Sequence, residues 1–132
     1  MEEKIKSIYN CNEIEGNDPL VIWHNQVIEK CESEMTISDV ARCIRQNLFL
    51  KSAYEMLLVY LMHNPYEGDA YEGELMEKAS LMDEEFIANH RSVVSKIVRD
   101  AYRFIENNDW EFEDDKLEFK ESVNELAEKL KD

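Results

Sequence analysis

Glycine and proline are scarce in this sequence, with only 3 Gly and 2 Pro among 132 residues. Sheet proteins need frequent turns, which these two residues commonly provide, so their scarcity argues against a β-rich fold. Leu, Glu, Lys, Met and Ala are plentiful instead, and all five favour helices. We therefore predict an all-α fold, a compact irregular bundle of about six to eight helices. The length fits a single domain that spans residues 1–132.

Long apolar runs and paired cysteines are also lacking. The longest apolar stretch, Met56 to Met62, is far too short to span a bilayer. The charged N-terminus shows no apolar signal region. Cysteines number 3 and have no CxxC spacing, which fits free thiols in a reducing compartment. These features predict a cytoplasmic protein that does not enter a membrane.

Positive charge is the third deficit. The chain has 15 basic and 30 acidic residues, which gives a formal net charge of −15. Proteins that bind nucleic acid or anionic membranes need a positive surface, so these partners are disfavoured. The charge indicates a cationic partner, although solubility alone would explain it equally well.

Motifs for catalysis are missing as well. None of the three histidines lies in HExxH or follows a glutamate by three residues, and no glycine-rich phosphate loop is present. His24 and Cys31 could share a helix face, but two ligands without a third indicate core residues rather than a zinc site. We expect no catalytic residue, no metal and no cofactor. An enzyme with a carboxylate-bound metal is kept as a third hypothesis, which metal analysis would test.

Capping residues mark the expected helix boundaries. Asp18 followed by Pro19 predicts the start of a helix that runs to about Cys31. Residues 53–62 are apolar on nearly every side, which predicts a central helix packed all round that ends before Pro65. Residues 64–74 form the clearest loop. Other caps are expected at Thr36 or Ser38, at Asp83, and at Asp114 or Asp115. The residues of the last helix that are expected to face the core are Leu117, Val123, Leu126, Ala127 and Leu130.

Acidic residues concentrate in two segments, 64–90 and 106–118, which also carry aromatic residues. Exposed aromatics beside charge are typical of binding hot spots, and a negative field speeds encounter with a basic partner by roughly 10- to 1,000-fold at low salt. The alternative is that the aromatics fix the loops to the core while the acids are solvated. Together the two segments favour binding. Between them, Lys96, Arg99 and Arg103 form a basic stripe that is expected to pair with acids of the chain itself.

One part of the chain resembles a known family. Residues 37–50 read ISDVARCIRQNLFL, and after an apolar helix residues 64–75 read NPYEGDAYEGEL. This order resembles the CdiI immunity proteins of bacterial contact-dependent growth inhibition systems, closely over about a third of the chain. The family pattern often has a glycine near Phe49 and a proline near Met56, and both are missing here.

The resemblance implies a function in binding rather than catalysis. It implies that the chain binds the toxic C-terminal domain of a cognate CdiA effector and blocks it. We separately expect a monomer or weak dimer. Such toxins are commonly nucleases with basic clefts, so carboxylates of the inhibitor would take the place of phosphates. Gly68 and Gly73 permit positive φ angles in the loop, and Arg42, Arg45 and Gln46 are expected to tie the loop or a helix end. The residues predicted to contact the toxin are, first, Glu67, Asp69, Tyr71, Glu72 and Glu74 and, second, Asp109, Trp110, Glu111, Glu113 and Asp114.

A DNA mimic is the alternative function. An acidic inhibitor of a restriction or CRISPR nuclease would display its carboxylates in two regular rows spaced like the phosphates of a duplex. Irregular placement of the acids on the folded surface would count against it.

Overall fold

A computed structural model describes residues 2–131, which form eight α-helices and one short 3₁₀ turn at Glu32–Glu34. Extended pairing within these residues is limited to one isolated bridge between Lys4 and Cys31. The prediction of an all-α fold is therefore confirmed, with a helix number at the upper end of the expected range. The helices are α1 (Ile5–Ile8), α2 (Pro19–Val27), α3 (Ile37–Gln46), α4 (Leu50–His63), α5 (Glu74–Ala79), α6 (Glu84–Asn89), α7 (Arg91–Asn107) and α8 (Glu113–Lys129).

The chain divides into two compact units, with the division between Met56 and Leu57 inside α4. The first unit contains α1 to α3 and the start of α4, and the second contains the rest of α4 and α5 to α8. The prediction that residues 1–132 form a single domain stays a prediction.

In the first unit, α2 begins where the sequence predicts and ends earlier. The Asp18 carboxylate accepts hydrogen bonds from the backbone N–H groups of Leu20 and Val21 at 3.0 and 3.1 Å. The helix ends at Val27, and the predicted extension to Cys31 is wrong. The chain turns away because backbone carbonyls beyond the helix accept hydrogen bonds from the N-terminal segment. The Ile5 N–H, for example, donates to the Lys30 carbonyl at 2.8 Å.

A buried carboxylate connects α2 and α3. Asp39 is 6% exposed and accepts hydrogen bonds from the Trp23 indole at 3.0 Å and from the Lys30 ammonium at 2.6 Å. The same carboxylate completes a capping box with Thr36, which confirms Thr36 as the cap of α3. Burial alone would raise the pKa of Asp39, but the hydrogen bonds from Lys30, Thr36 and Trp23 lower it below its ordinary value.

The turn between α3 and α4 contains an unusual backbone conformation. Phe49 has a φ of 49°, in the left-handed region that glycine adopts without strain. Phenylalanine has a Cβ and adopts this conformation at a cost of about 1 kcal/mol relative to glycine. The Phe49 ring lies 5.0 Å from that of Tyr9, whose hydroxyl accepts a hydrogen bond from the Ser52 N–H at 2.9 Å. These contacts anchor the turn.

The second unit is built around α8, which packs against α5 and α7, while α6 packs against α7. The part of α4 in this unit buries Leu57, Leu58 and Leu61 but leaves Val59 and Met62 more than 40% exposed. The predicted burial of α4 on all sides is therefore wrong. The predicted Asp83 cap is confirmed, because its carboxylate accepts from the Phe86 N–H at 2.7 Å.

The last helix differs from its prediction in start and in register. It begins at Glu113 with Phe112 in the cap position, so Asp114 and Asp115 lie in the first turn. Phe119 is 3% exposed, whereas Leu117 is 54% exposed. Two residues correspond to about 200° of rotation on an α-helix, so these two side chains face opposite sides. The face that carries Phe119, Val123 and Leu126 is the buried one.

Candidate functional site

The loop between α4 and α5, residues 64–73, is closed by hydrogen bonds near both of its ends. The Gly73 N–H donates to the Tyr66 carbonyl at 2.8 Å, and the Leu75 N–H donates to the Glu67 carbonyl at 3.1 Å. The middle of the loop is held by Glu74, whose Oε1 accepts from the N–H groups of Asp69 and Ala70 at 2.9 Å each. The loop is thus fixed by the chain's own groups.

Glycine is required at two positions of this loop for different reasons. Gly73 has a φ of 87°, as predicted. Gly68 does not have a positive φ, so the loop does not use the conformational freedom that glycine permits there. Gly68 is needed because a Cβ there would lie only 1.7 Å from the Tyr71 carbonyl oxygen. A side chain at position 68 would force the loop open.

Four aromatic rings join the two acidic segments. The ring of Tyr66, in the loop, lies 5.1 Å from Trp110 and 5.0 Å from Phe119, with edge-to-face geometry in both pairs. Phe104 of α7 completes the cluster at 5.1 Å from Tyr66. The Trp110 indole also donates to the Ile105 carbonyl at 2.9 Å. Tyr66 and Trp110 therefore fix the loops, as the alternative interpretation proposed, and they also bring the two segments together.

The structure places the predicted toxin-contacting residues in different environments. Glu74 is 3% exposed and directs its carboxylate into the chain's own loop, whereas Tyr71 is 52% exposed. Glu67 and Trp110 are half-buried. The assignment of all ten predicted residues to a toxin-binding surface stays a prediction. The exposed members are Asp69, Tyr71, Glu72, Asp109, Glu111, Glu113 and Asp114.

A cleft of about 400 Å³ lies between the loop, α5 and α8, and we call it the acidic cleft. Its aromatic wall is formed by Tyr66, Tyr71 and Phe119. The carboxylates that line the cleft are Glu72, Glu77, Asp115 and Glu118. Within residues 2–131, none of these four carboxylates forms an ion pair with a basic side chain.

Two tyrosines of the acidic cleft have raised pKa values, and nearby carboxylates contribute to both. Tyr71 donates its hydroxyl hydrogen bond to the Glu77 carboxylate at 2.6 Å, and this bond, with burial and nearby carboxylates, raises its pKa to about 12. Burial, followed by the charges of Asp115, Glu72 and Glu118, raises the pKa of Tyr66. The carboxylate charges that contribute to both shifts would attract a cation, whereas burial, the largest cause for Tyr66, disfavours any charged group.

Only Tyr71 and Glu72 of the nine residues that line the cleft were among the residues predicted to contact the toxin. Glu77, Asp115, Glu118 and Ser122 line it but were not among the predicted residues. A signal was present, because positions 115, 118, 119 and 122 recur at helical spacing and so share one face of a helix. The pairing of that face with the loop could not be read from either segment alone.

The basic stripe on α7 is mostly unpaired, contrary to the prediction. Arg99 Nε lies 3.6 Å from the carboxylate of its neighbour Asp100. Lys96 and Arg103 are exposed and form no ion pair within residues 2–131. Arg42, expected to tie the loop or a helix end, lies 4.9 Å from the centre of the Trp23 ring in the first unit.

The structure also locates the residues considered for metal binding. His24 is 7% exposed on α2, and Cys31 lies outside that helix, so the two do not share a helix face. In the part of the chain from residue 2 to 131, no group of three or more His, Cys, Asp or Glu side chains could hold a metal ion. Over the same residues, every helix falls short of the length and apolarity needed to cross a membrane.

The fold and the cleft define a small, acidic, all-α protein with a concave carboxylate and aromatic surface. Comparison with protein families assigns it more closely. The sequence profile of the CDI immunity proteins matches residues 7–97, and the chain belongs to this family. The match includes the loop and α5, whereas α8 lies beyond it. No curated protein matches the sequence at a significant level.

Proposed function

We propose that this chain binds and neutralises the toxic C-terminal domain of a cognate CdiA effector, and that it does so by association rather than by catalysis. Membership of the CDI immunity protein family is the observation that carries the proposal. Immunity requires a tight and specific complex with the toxin. The cytoplasmic location expected from the sequence is part of the same proposal.

We further propose that the toxin is a nuclease with a basic cleft. A nuclease must attract phosphate, so its active site carries positive charge. The acidic cleft presents four carboxylates that have no ion-pair partner within residues 2–131, beside aromatic side chains that can contact a guanidinium group. Carboxylates of the inhibitor would then occupy the positions of phosphates.

The proposed contact surface extends from the cleft to the second acidic segment. A stable complex of this kind buries roughly 800 Å² on each partner, which is more than one cleft supplies. Trp110 connects the cleft wall to the exposed residues Asp109 and Glu111. Phe112 is 60% exposed and adds an apolar side chain beside these two residues.

Co-expression of this chain with the cognate toxin domain tests the proposal. We expect cells that produce the toxin to survive only with this chain, and the two proteins to co-purify. A toxin from an unrelated system serves as the control and should kill in both cases. Absence of both protection and co-purification would refute the proposed function. Protection against several unrelated DNA nucleases would instead support the DNA mimic.

A further inference from the structure

We propose that Glu74 is a positioning residue that preorganises the loop of residues 66–73, so that Tyr71 and Glu72 are held ready for the toxin. In this arrangement Glu74 acts through the loop and does not itself touch the partner. The inference rests on the proposed function for its binding consequence, but its effect on the loop can be measured without any partner.

Burial of Glu74 is the first observation. A glutamate is almost never fully buried unless its charge is compensated. Glu74 is only 3% exposed, and its carboxylate is compensated by two backbone N–H groups and by Lys78, whose Nζ lies 3.8 Å from Oε2. A residue enclosed in this way is not available to a partner.

The second observation is that, within residues 2–131, Glu74 alone accepts hydrogen bonds from the backbone N–H groups in the middle of the loop, at Asp69 and Ala70. The ends are closed by the backbone bonds of Gly73 and Leu75, but the N–H groups of Asp69 and Ala70 both donate to Oε1 of Glu74. Within the described residues these two groups donate to no other acceptor. Tyr71 and Glu72 follow directly along the chain. One oxygen atom therefore anchors the segment that presents both side chains.

Preorganisation matters for affinity because a mobile loop must be ordered when the complex forms. Glu74→Ala removes the anchor, whereas Glu74→Gln keeps an Oε1 that accepts both hydrogen bonds. We expect amide exchange at Asp69 and Ala70 to become at least tenfold faster in E74A and to change less than threefold in E74Q. Toxin affinity should fall at least tenfold in E74A and stay near the wild-type value in E74Q.

A double-mutant cycle separates positioning from general destabilisation. Glu72→Gln is measured in the wild-type background and in E74A. If Glu74 positions Glu72, the Glu72→Gln effect largely disappears in the E74A background. Additive effects would overturn the proposal. Glu85→Ala, an exposed glutamate in the first turn of α6, is the matched control and should leave exchange and affinity unchanged.

Circular dichroism verifies that each variant is folded. If E74A does not fold, Glu74→Asp replaces it, because the shorter side chain keeps the charge but withdraws the oxygen from the loop. Fast exchange at Asp69 and Ala70 in the wild-type chain, or unchanged exchange in the Glu74→Ala or Glu74→Asp variant, would refute the positioning role. Failure of the wild-type chain to bind the toxin domain would refute the proposed function alone, since exchange does not depend on a partner.

Discussion

Neutralising the four carboxylates of the acidic cleft should weaken toxin binding strongly. The variant combines Glu72→Gln, Glu77→Gln, Asp115→Asn and Glu118→Gln, which preserve the side-chain shapes. All four side chains are exposed, so their removal leaves no buried group without a partner. The expected loss therefore comes from the missing attraction to a basic group of the toxin.

The magnitude follows from Coulomb's law. Two unit charges 4 Å apart attract by about 1 kcal/mol in water and by about 4 kcal/mol at an effective dielectric constant of 20. The lower value suits exposed side chains, and one cation cannot lie that close to four carboxylates at once. A total of about 2–3 kcal/mol is reasonable, which corresponds to a rise of roughly 30- to 150-fold in Kd.

The assay is surface-based binding kinetics with the toxin domain at about 50 and 500 mM salt. Screening at high salt should weaken the wild-type complex far more than the variant, mainly through the association rate. A control variant removes four charges elsewhere on the second unit, by Glu84→Gln, Glu85→Gln, Glu125→Gln and Glu128→Gln. Equal weakening by both variants, or a variant complex that keeps its affinity and salt dependence, would refute the role of the cleft.

Two further predictions concern stability. The pKa of Asp39 is lowered in the folded state, so its carboxylate contributes to the free energy of unfolding. That contribution is complete above the ordinary pKa of 3.8 and is lost as the pH falls through the lowered value. The difference in urea midpoint between wild type and Asp39→Asn should therefore narrow below about pH 4. Phe119→Ala should cost about 3–5 kcal/mol in the free energy of unfolding, and Phe112→Ala, at an exposed site, within about 0.5 kcal/mol. Equal urea midpoints for the two alanine variants would contradict the assignment of Phe119 to the core.

Features set by neighbouring residues could be predicted from the sequence. The helix starts at Asp18, Thr36 and Asp83 are examples, because a cap is completed within three residues of its own position. The predicted start of α8 was wrong because no side chain caps this helix, and packing rather than capping fixes its register. Burial of Phe119 rather than Leu117 follows from contact with distant aromatic rings.

The candidate site was only partly predictable for the same reason. Both acidic segments stand out in the sequence as charge runs with aromatic residues. Their convergence depends on Tyr66 meeting Trp110 and Phe119 from other parts of the chain. The role of Glu74 was hidden as well, because a glutamate in an acidic run gives no sign that it is buried. Only the folded loop distinguishes it from Glu72.

The two tryptophans are divided between the two units, which makes each a fluorescent reporter of its own surroundings. Trp23 donates to the buried Asp39 in the first unit, and Trp110 lies against Tyr66 in the second. Replacing either one by phenylalanine leaves a single indole emitter. If residues 1–132 melt as one domain, both emitters will report the same midpoint. Two midpoints would mean that α4 runs through a boundary between halves that unfold independently.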